Sequence, residues 1–187
     1  MEKGYQVDND FLNSDVCGVA SQYAIYKHAY FRDESVIKNP NTNAGTAFYG
    51  DTFTESILGF LTPHVSNIVG KDLVPTYSYL RNWMSGEQLT KNIEDNNSDY
   101  ACRIVLGQEY KGLEDYTWGI FINGEYIEQT VGGIVIYDSK LERYKEPLVA
   151  TQGSYQIEMS AFFVENTDEK AAYKFDGRKS LGMRKVI

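Results

Sequence analysis

Side chains able to do chemistry are sparse in this chain, and they are scattered. There are two histidines, His28 and His64. Both fall on segments whose pattern predicts helix, which leaves imidazole few openings as a general acid or base. A lone helical histidine is more often a surface or satisfied residue than a ligand. The two cysteines, Cys17 and Cys102, form no CxxC or Cys/His cluster. They read as small buried hydrophobes in a reducing compartment, neither a disulfide framework nor a zinc site. Glu94, Asp95 and Asp99 make an acidic cluster that could hold Ca²⁺ or Mg²⁺, but a solvated acidic loop explains the same residues. There is no glycine-rich phosphate loop, and no serine has a histidine at a spacing suited to a triad. What remains is the Asn92-Ile93-Glu94 triplet, Arg143 further along, and Arg81 in an aromatic run.

Those residues must be positioned by elements that the pattern makes readable. Asn13, Ser14 or Asp15 can cap a helix running to about Phe31, with Val16, Val19, Ala20, Tyr23 and Tyr30 at helical spacing. Lys38 to Ala47 is a loop by composition. Thr52-x-x-Glu55 has the capping-box pattern and opens a helix with Ile57, Leu58, Leu61, Val65 and Ile68 on one face. Pro63 inside it predicts a kink or a break into two short helices, and Gly70 is a good stop. Thr76 to Trp83 and Asp99 to Leu106 read as strands around a turn. Lys111 to Asp115 is a charged loop. Asn123-Gly124 favours the positive φ of a two-residue hairpin between Thr117–Ile122 and Glu125–Gln129. Ser154 to Val164 alternates cleanly: Tyr155, Ile157, Met159, Ala161 and Phe163 share one face, and Ser154, Gln156, Glu158 and Ser160 the other. The pattern is α+β.

Composition bounds the rest. The 187 residues suffice for one domain with a real core, 1–187, arranged as a loose polar start (1–13), helical support (14–70), a strand-rich body (71–165) and a C-terminal tail (166–187). Fifteen tyrosines fit half-buried sheet faces. A formal net charge of -8 argues against broad nucleic-acid binding and against an anionic membrane surface. No run of about 18 apolar residues could span a bilayer, and MEKGYQVDND has no stretch of signal-peptide type. The tail carries six Lys/Arg against three acids, so it is basic while the body is acidic. That asymmetry leads us to expect docking of the tail on an acidic neighbour, and hence homo-oligomers.

The segment Pro75 to Gly107, PTYSYLRNWMSGEQLTKNIEDNNSDYACRIVLG, closely resembles one region of the 2-oxoglutarate/Fe(II) dioxygenases, the prolyl-hydroxylase-like branch of bacteria and phage genomes. There the frame is PTYSYxRxYxxGxxLxxHxDxxxCExSxTLxLG. Further motifs follow in order. Tyr49-Gly50-Asp51 matches a YGD before two packed helices, and GKDLVPTYSY the entry to the first main strand. Trp118 matches a Trp in the same place, and VGGIVIY resembles PGDxLIY with Gly133 replacing Asp. Arg143-Tyr144-Lys145-Glu146-Pro147 falls on HWREP, and KFDGRKSLG on a terminal FDGRxxLG. The resemblance covers about residues 14 to 183. It implies a double-stranded β-helix, a jelly-roll or cupin-like barrel, with N-terminal helices packed on one sheet.

It also implies where iron and cosubstrate would sit. The His-x-Asp position is filled by Asn92-Ile93-Glu94 and the third ligand position by Arg143, with the register uncertain by one toward Glu142 or Tyr144. A ferrous oxygenase needs two neutral imidazoles and one carboxylate. A guanidinium has five donors, no acceptor, and does not deprotonate in proteins. The family's basic residue for the distal carboxylate of 2-oxoglutarate has no counterpart from Leu148 to Glu169. A remnant cosubstrate pocket would comprise the Tyr77-Ser78-Tyr79 step, Arg81 and Trp83. The expectation is therefore a catalytically inactive dioxygenase-like domain with no cofactor, acting as a structural or protein-binding component, such as a subunit of a phage particle or other assembly. Arg143 should reach Glu94 across the mouth of the fold, with Asn92 nearby. The alternative is a working hydroxylase with unconventional ligands, using Fe(II) and 2-oxoglutarate. The location expected is the cytoplasm, or a virion if the chain is phage-encoded.

Overall fold

The computed structural model describes residues 1–31, 46–93 and 97–183. Ten strands and two α-helices follow in the order β1 (Tyr5–Asp8), α1 (Ser14–Tyr30), β2 (Thr46–Tyr49), α2 (Thr52–Val69), β3 (Leu73–Met84), β4 (Leu89–Asn92), β5 (Tyr100–Glu109), β6 (Ile120–Ile122), β7 (Glu125–Ile127), β8 (Ile134–Asp138), β9 (Arg143–Lys145) and β10 (Tyr155–Glu165). A 3-10 segment, Asp168–Gly177, follows. The strands make a six-stranded sheet, β1-β8-β5-β10-β3-β2, and a four-stranded sheet, β4-β9-β6-β7. Pairing between neighbours in both sheets is antiparallel. The fold is α+β, a two-sheet jelly roll of the double-stranded β-helix kind with the helices on the large sheet.

β10 is the central element, and its alternation sorts the core. Ile157, Met159, Ala161 and Phe163 join Leu58, Leu61, Val65, Ala20, Ala24, Leu80 and Ile104 in one apolar cluster between sheet and helices. Phe162, from the opposite face, joins Tyr77, Ile120, Ile122, Val135 and Tyr137 in a second cluster between the sheets. A third, smaller cluster of Trp83, Leu89, Trp118 and Leu148 closes the other end. Both faces of the large sheet are thus covered, so β5 and β10 are buried throughout their middles.

The helices differ from expectation in instructive ways. The α1 N-cap is Asn13, whose Oδ1 accepts from the Val16 N–H at 2.9 Å. Its buried face is Cys17, Ala20 and Ala24, whereas Val16, Val19 and Tyr30 of the predicted stripe are exposed. Close approach to the sheet decides this. Ser21 Oγ donates to the Leu106 carbonyl at 2.7 Å, and a Cβ built on Gly107 would lie 2.0 Å from that Oγ. Only small residues fit such a gap. α2 is capped by Asp51, one residue before the predicted Thr52, and ends at Gly70 with φ 69°. It runs as one assigned helix through Pro63. The bond that proline forfeits is outweighed by burial of Leu58, Leu61 and Val65. The start of the chain, expected to be loose, contributes edge strand β1, paired to β8 from Tyr5↔Tyr137 to Asp8↔Ile134. The Asn123-Gly124 hairpin forms as read, with φ of 51° and 81°.

Candidate functional site

The strands around the positions that the resemblance gives to iron ligands fix their register. Asn92 at the end of β4 pairs with Arg143 at the start of β9. Arg143 is 3% exposed, and its Nη1 donates to Asn92 Oδ1 at 2.8 Å. The one-residue ambiguity disappears. Glu142 is turned outward to Lys91, at 3.1 Å, and Tyr144 stacks on Phe121 with ring centroids 4.5 Å apart. Arg143 and Lys145, two apart on one strand, are both buried on the inner side, consistent with the period of a strand. Glu94 and Asp95 lie outside the described residues, and with them the expected Arg143–Glu94 fork and most of the acidic cluster. Asp99 of that cluster is taken by Lys170, at 2.6 Å.

Between the sheets, a layer of charge crosses the fold. Glu158 on β10 is fully buried and is held by Arg103 of β5 on one oxygen and by Lys145 Nζ of β9, at 2.7 Å, on the other. Arg103 Nε also donates to the Tyr137 hydroxyl at 3.1 Å. Lys145 donates to Gln156 Oε1 at 2.6 Å and lies over the Trp118 ring at 4.2 Å. Arg81 on β3 is Glu158's cross-strand neighbour. It is 4% exposed, over the rings of Tyr79 and Trp83. Its Nε and Nη1, and the Trp83 Nε1, have no hydrogen-bond partner. Four cations, Arg81, Arg103, Arg143 and Lys145, therefore share this layer with one carboxylate among the described residues.

The titration behaviour follows from that imbalance. Burial pushes Lys145 down to about 8, against the pull of Glu158. Burial also lowers Arg81, to about 10, with Arg103 adding like-charge repulsion. Burial alone would raise Glu158, but Arg103, Lys145 and Arg81 overcome it and hold the carboxyl at about 2.

The sequence reading singled out Arg143, Asn92, Arg81 and Trp83, and the fold places all four on or beside this layer. It missed Arg103, Lys145 and Glu158. Each carried a usable signal. Arg103 is a charge inside an apolar strand, Lys145 shares the strand face of Arg143, and Glu158 sits on the polar side of an alternating strand with both faces covered. His64, by contrast, packs against Phe11 at 4.8 Å. Cys17 and Cys102 are buried free thiols.

No family model matches the chain, and no curated protein matches it. Solved structures do. A prolyl-4-hydroxylase from Pseudomonas putida superposes with a TM-score of 0.65 at 12% identity, over 88% of this chain and 94% of that one. The viral collagen prolyl hydroxylase of Paramecium Bursaria Chlorella virus-1, in its 2OG complex, gives 0.63 at 12% identity, over 86% and 95%. The fold is that of the 2-oxoglutarate/Fe(II) oxygenases. EctD from S. alaskensis with bound Fe gives 0.61 at 9% identity, over 95% and 82%.

These likenesses correct the expectation that the chain takes no cofactor. The similar folds include one solved with 2OG and one with Fe, so cofactors of that class are the reference for this layer. The residues fit the two halves of the pair unequally. Among the described residues no three His, Cys, Asp or Glu side chains come together as a metal site. A buried guanidinium, which repels cations and offers no lone pair, stands beside Asn92. An anionic cosubstrate fits better, because Arg81 supplies two buried donors without an acceptor in a layer already rich in positive charge. No helix among the described residues is long and apolar enough to cross a membrane.

Proposed function

We propose that this chain uses the oxygenase fold as a binding or structural component and does not carry out oxidative turnover. The observation that carries the proposal is the buried Arg143 guanidinium donating to Asn92 at 2.8 Å. A fixed positive charge there opposes ferrous ion, while the cations around Glu158 give the interior layer a charge suited to the carboxylates of a 2-oxoglutarate-like ligand. The exposed Val19, Tyr26 and Tyr30 on α1, at 66%, 54% and 76%, are the apolar surface this reading offers to a protein partner. Of the basic tail, Lys170 and Arg178 are engaged within the chain by Asp99 and Glu55. Among the described residues, self-assembly through the tail therefore falls to Lys174 and Lys179. A place in a phage particle is the furthest extension of this reading and rests on resemblance alone.

The test is turnover. Purified protein supplied with Fe(II), 2-oxoglutarate and ascorbate is assayed for succinate, with and without candidate substrates. The expected result is no release above an iron-free control. Succinate formed in step with bound iron would instead support the working-hydroxylase reading. The triple change Asn92→His, Glu94→Asp and Arg143→His should raise iron affinity, because it removes the opposing charge and supplies imidazoles.

A further inference from the structure

The outer face of the helices is the surface that the fold leaves least explained. α1 and α2 hold 17 and 18 residues, and their Lys, Arg, Asp and Glu residues are Asp15, Lys27 and Glu55, in a chain that is 24% charged. Glu55 is buried against Arg178, and Lys27 bridges to Asp51 at 2.8 Å. Asp15 is the exposed charge that remains on the two helices. A helix that covers a core normally turns a charged side to water. Here the side turned to water is apolar. Val16, Val19, Tyr26 and Tyr30 are exposed on α1, Phe31 follows at 51%, and Phe60 stands on α2 at 72%. Tyr23 stacks on Phe53 and Phe11 on His64, each with ring centroids 4.8 Å apart, which sets the two helices side by side in one layer.

Depletion of charge together with enrichment in aromatic rings is the composition of an interface core. The exposed parts of Tyr26, Tyr30, Phe31 and Phe60 come to roughly 500 Å². A two-fold contact doubles that to about 1,000 Å², the lower bound for a specific interface.

The pattern along α1 says which partner fits. Val16, Val19, Tyr23, Tyr26 and Tyr30 recur at alternating steps of three and four, the seam of a helix that packs on another helix. The seam is small at its start and large at its end. Asp15 lies at the start, and Lys27 and His28 lie in the last turn. An antiparallel crossing of two copies, centred on Tyr23, sets Val16 against Tyr30 and Val19 beside Tyr26, so that large meets small. It also brings Asp15 toward the second copy's Lys27. A parallel crossing would oppose Tyr30 to Tyr30 and Asp15 to Asp15. Gly18 agrees with a close partner. A Cβ built on it meets nothing within 4 Å, so no contact within the chain calls for a residue that costs a helix about 1 kcal/mol relative to Ala. Approach of a second backbone does.

We propose that the α1 seam, with Phe31 and Phe60 beside it, is the contact of a two-fold homodimer in which the α1 helices cross antiparallel. This rests on the proposed reading of α1 as a partner surface, and it names the partner as a second copy of this chain. It places self-assembly on the helices and not on Lys174 and Lys179 of the tail.

The experiment is light scattering after size exclusion, on the full chain over roughly 1–200 μM. The unaltered chain should move from its 21.3 kDa monomer toward twice that mass as concentration rises. Val19→Glu and Tyr30→Asp, both at exposed positions, should each weaken the dimer about tenfold or more while leaving the Tm of the dilute monomer unchanged. If an acidic variant fails to fold, Tyr30→Ser gives the same reading. Lys174→Glu with Lys179→Glu should leave the dimer intact. Oxidation reads the orientation: Val16→Cys mixed with Tyr30→Cys should cross-link, and neither should cross-link alone. Cys17 and Cys102 are buried and do not compete. A chain that stays monomeric throughout overturns the proposal and leaves this face to a different protein. So does a dimer that survives Val19→Glu and Tyr30→Asp, or one that the lysine changes dissolve. Cross-linking of each cysteine variant with itself overturns the antiparallel crossing. None of these results bears on turnover. The non-turnover reading falls only to iron-dependent succinate release, whether the chain is a monomer or a dimer.

Discussion

Two buried ionic sites among the described residues could hardly be less alike. At the junction of α2, β3 and the C-terminal segment, Glu55 meets Arg178. Nη2 donates to Oε1 at 2.5 Å and Nη1 to Oε2 at 2.9 Å. The remaining Arg178 donors go to the carbonyls of Thr76, Phe175 and Met183. One acid meets one base, and the arginine's donors are received. Between the sheets, among the described residues, one carboxylate stands among several cations, and Arg81 Nε and Nη1 have no hydrogen-bond partner. A balanced, saturated pair is what a chain uses to close itself. The tail clamp thus reads as a device for stability, and the interior layer is where the proposed binding role would lie.

That contrast can be broken most forcefully at the carboxylates. Glu55→Gln and Glu158→Gln each strand buried positive charge, and each should cost on the order of 3–5 kcal/mol in denaturant unfolding. The sites should separate when the cations are removed instead. Arg178→Met should be about as damaging as Glu55→Gln, because it strands an acid and three carbonyls. Lys145→Met placed on Glu158→Gln should recover part of the loss. Equal penalties for removing cations at both sites would erase the distinction.

A smaller effect lies in pH. Lys145 is held at about 8 in the folded chain, below its unfolded value near 10.4. Between those values the unfolded chain binds more protons, so stability from this residue rises with pH. The penalty of the buried ammonium is full below about pH 8 and lifts above it. Unfolding free energy should therefore climb from pH 8 to 9.5 more steeply than in Lys145→Met. Identical slopes would mean that the lysine is not strained. At the acid end Glu158, held at about 2, contributes stability above its unfolded value near 4.3, lost as pH falls toward 2. The smallest effect expected is at the edge of the fold: Asn13→Ala should remove the α1 cap for about 1 kcal/mol.

Much of this was legible in the residues. The helix starts, the Gly70 stop, the Asn123-Gly124 turn and the β10 alternation are local signals, and they survive folding. The jelly roll itself came from motifs in order, since antiparallel pairing across the chain leaves no local mark. The face of α1 was misread because burial there follows the closeness of Gly107, a long-range fact. The same holds for the site. Positions 92 and 143 are visible as substitutions in a frame, but the grouping of Arg81, Arg103, Lys145 and Glu158 depends on four strands meeting. Between Leu148 and Glu169 there is no Lys or Arg, and the buried cations of the layer come from β3, β5 and β9.

The central claim is the proposed one: fixed protein charge at Arg143 opposes ferrous ion, so any 2-oxoglutarate-like ligand would bind without it. Calorimetric titration of 2-oxoglutarate into the protein, with chelator and again with saturating Fe(II) under anaerobic conditions, measures this directly. The account predicts the same Kd in both. Binding seen only with iron present would contradict it.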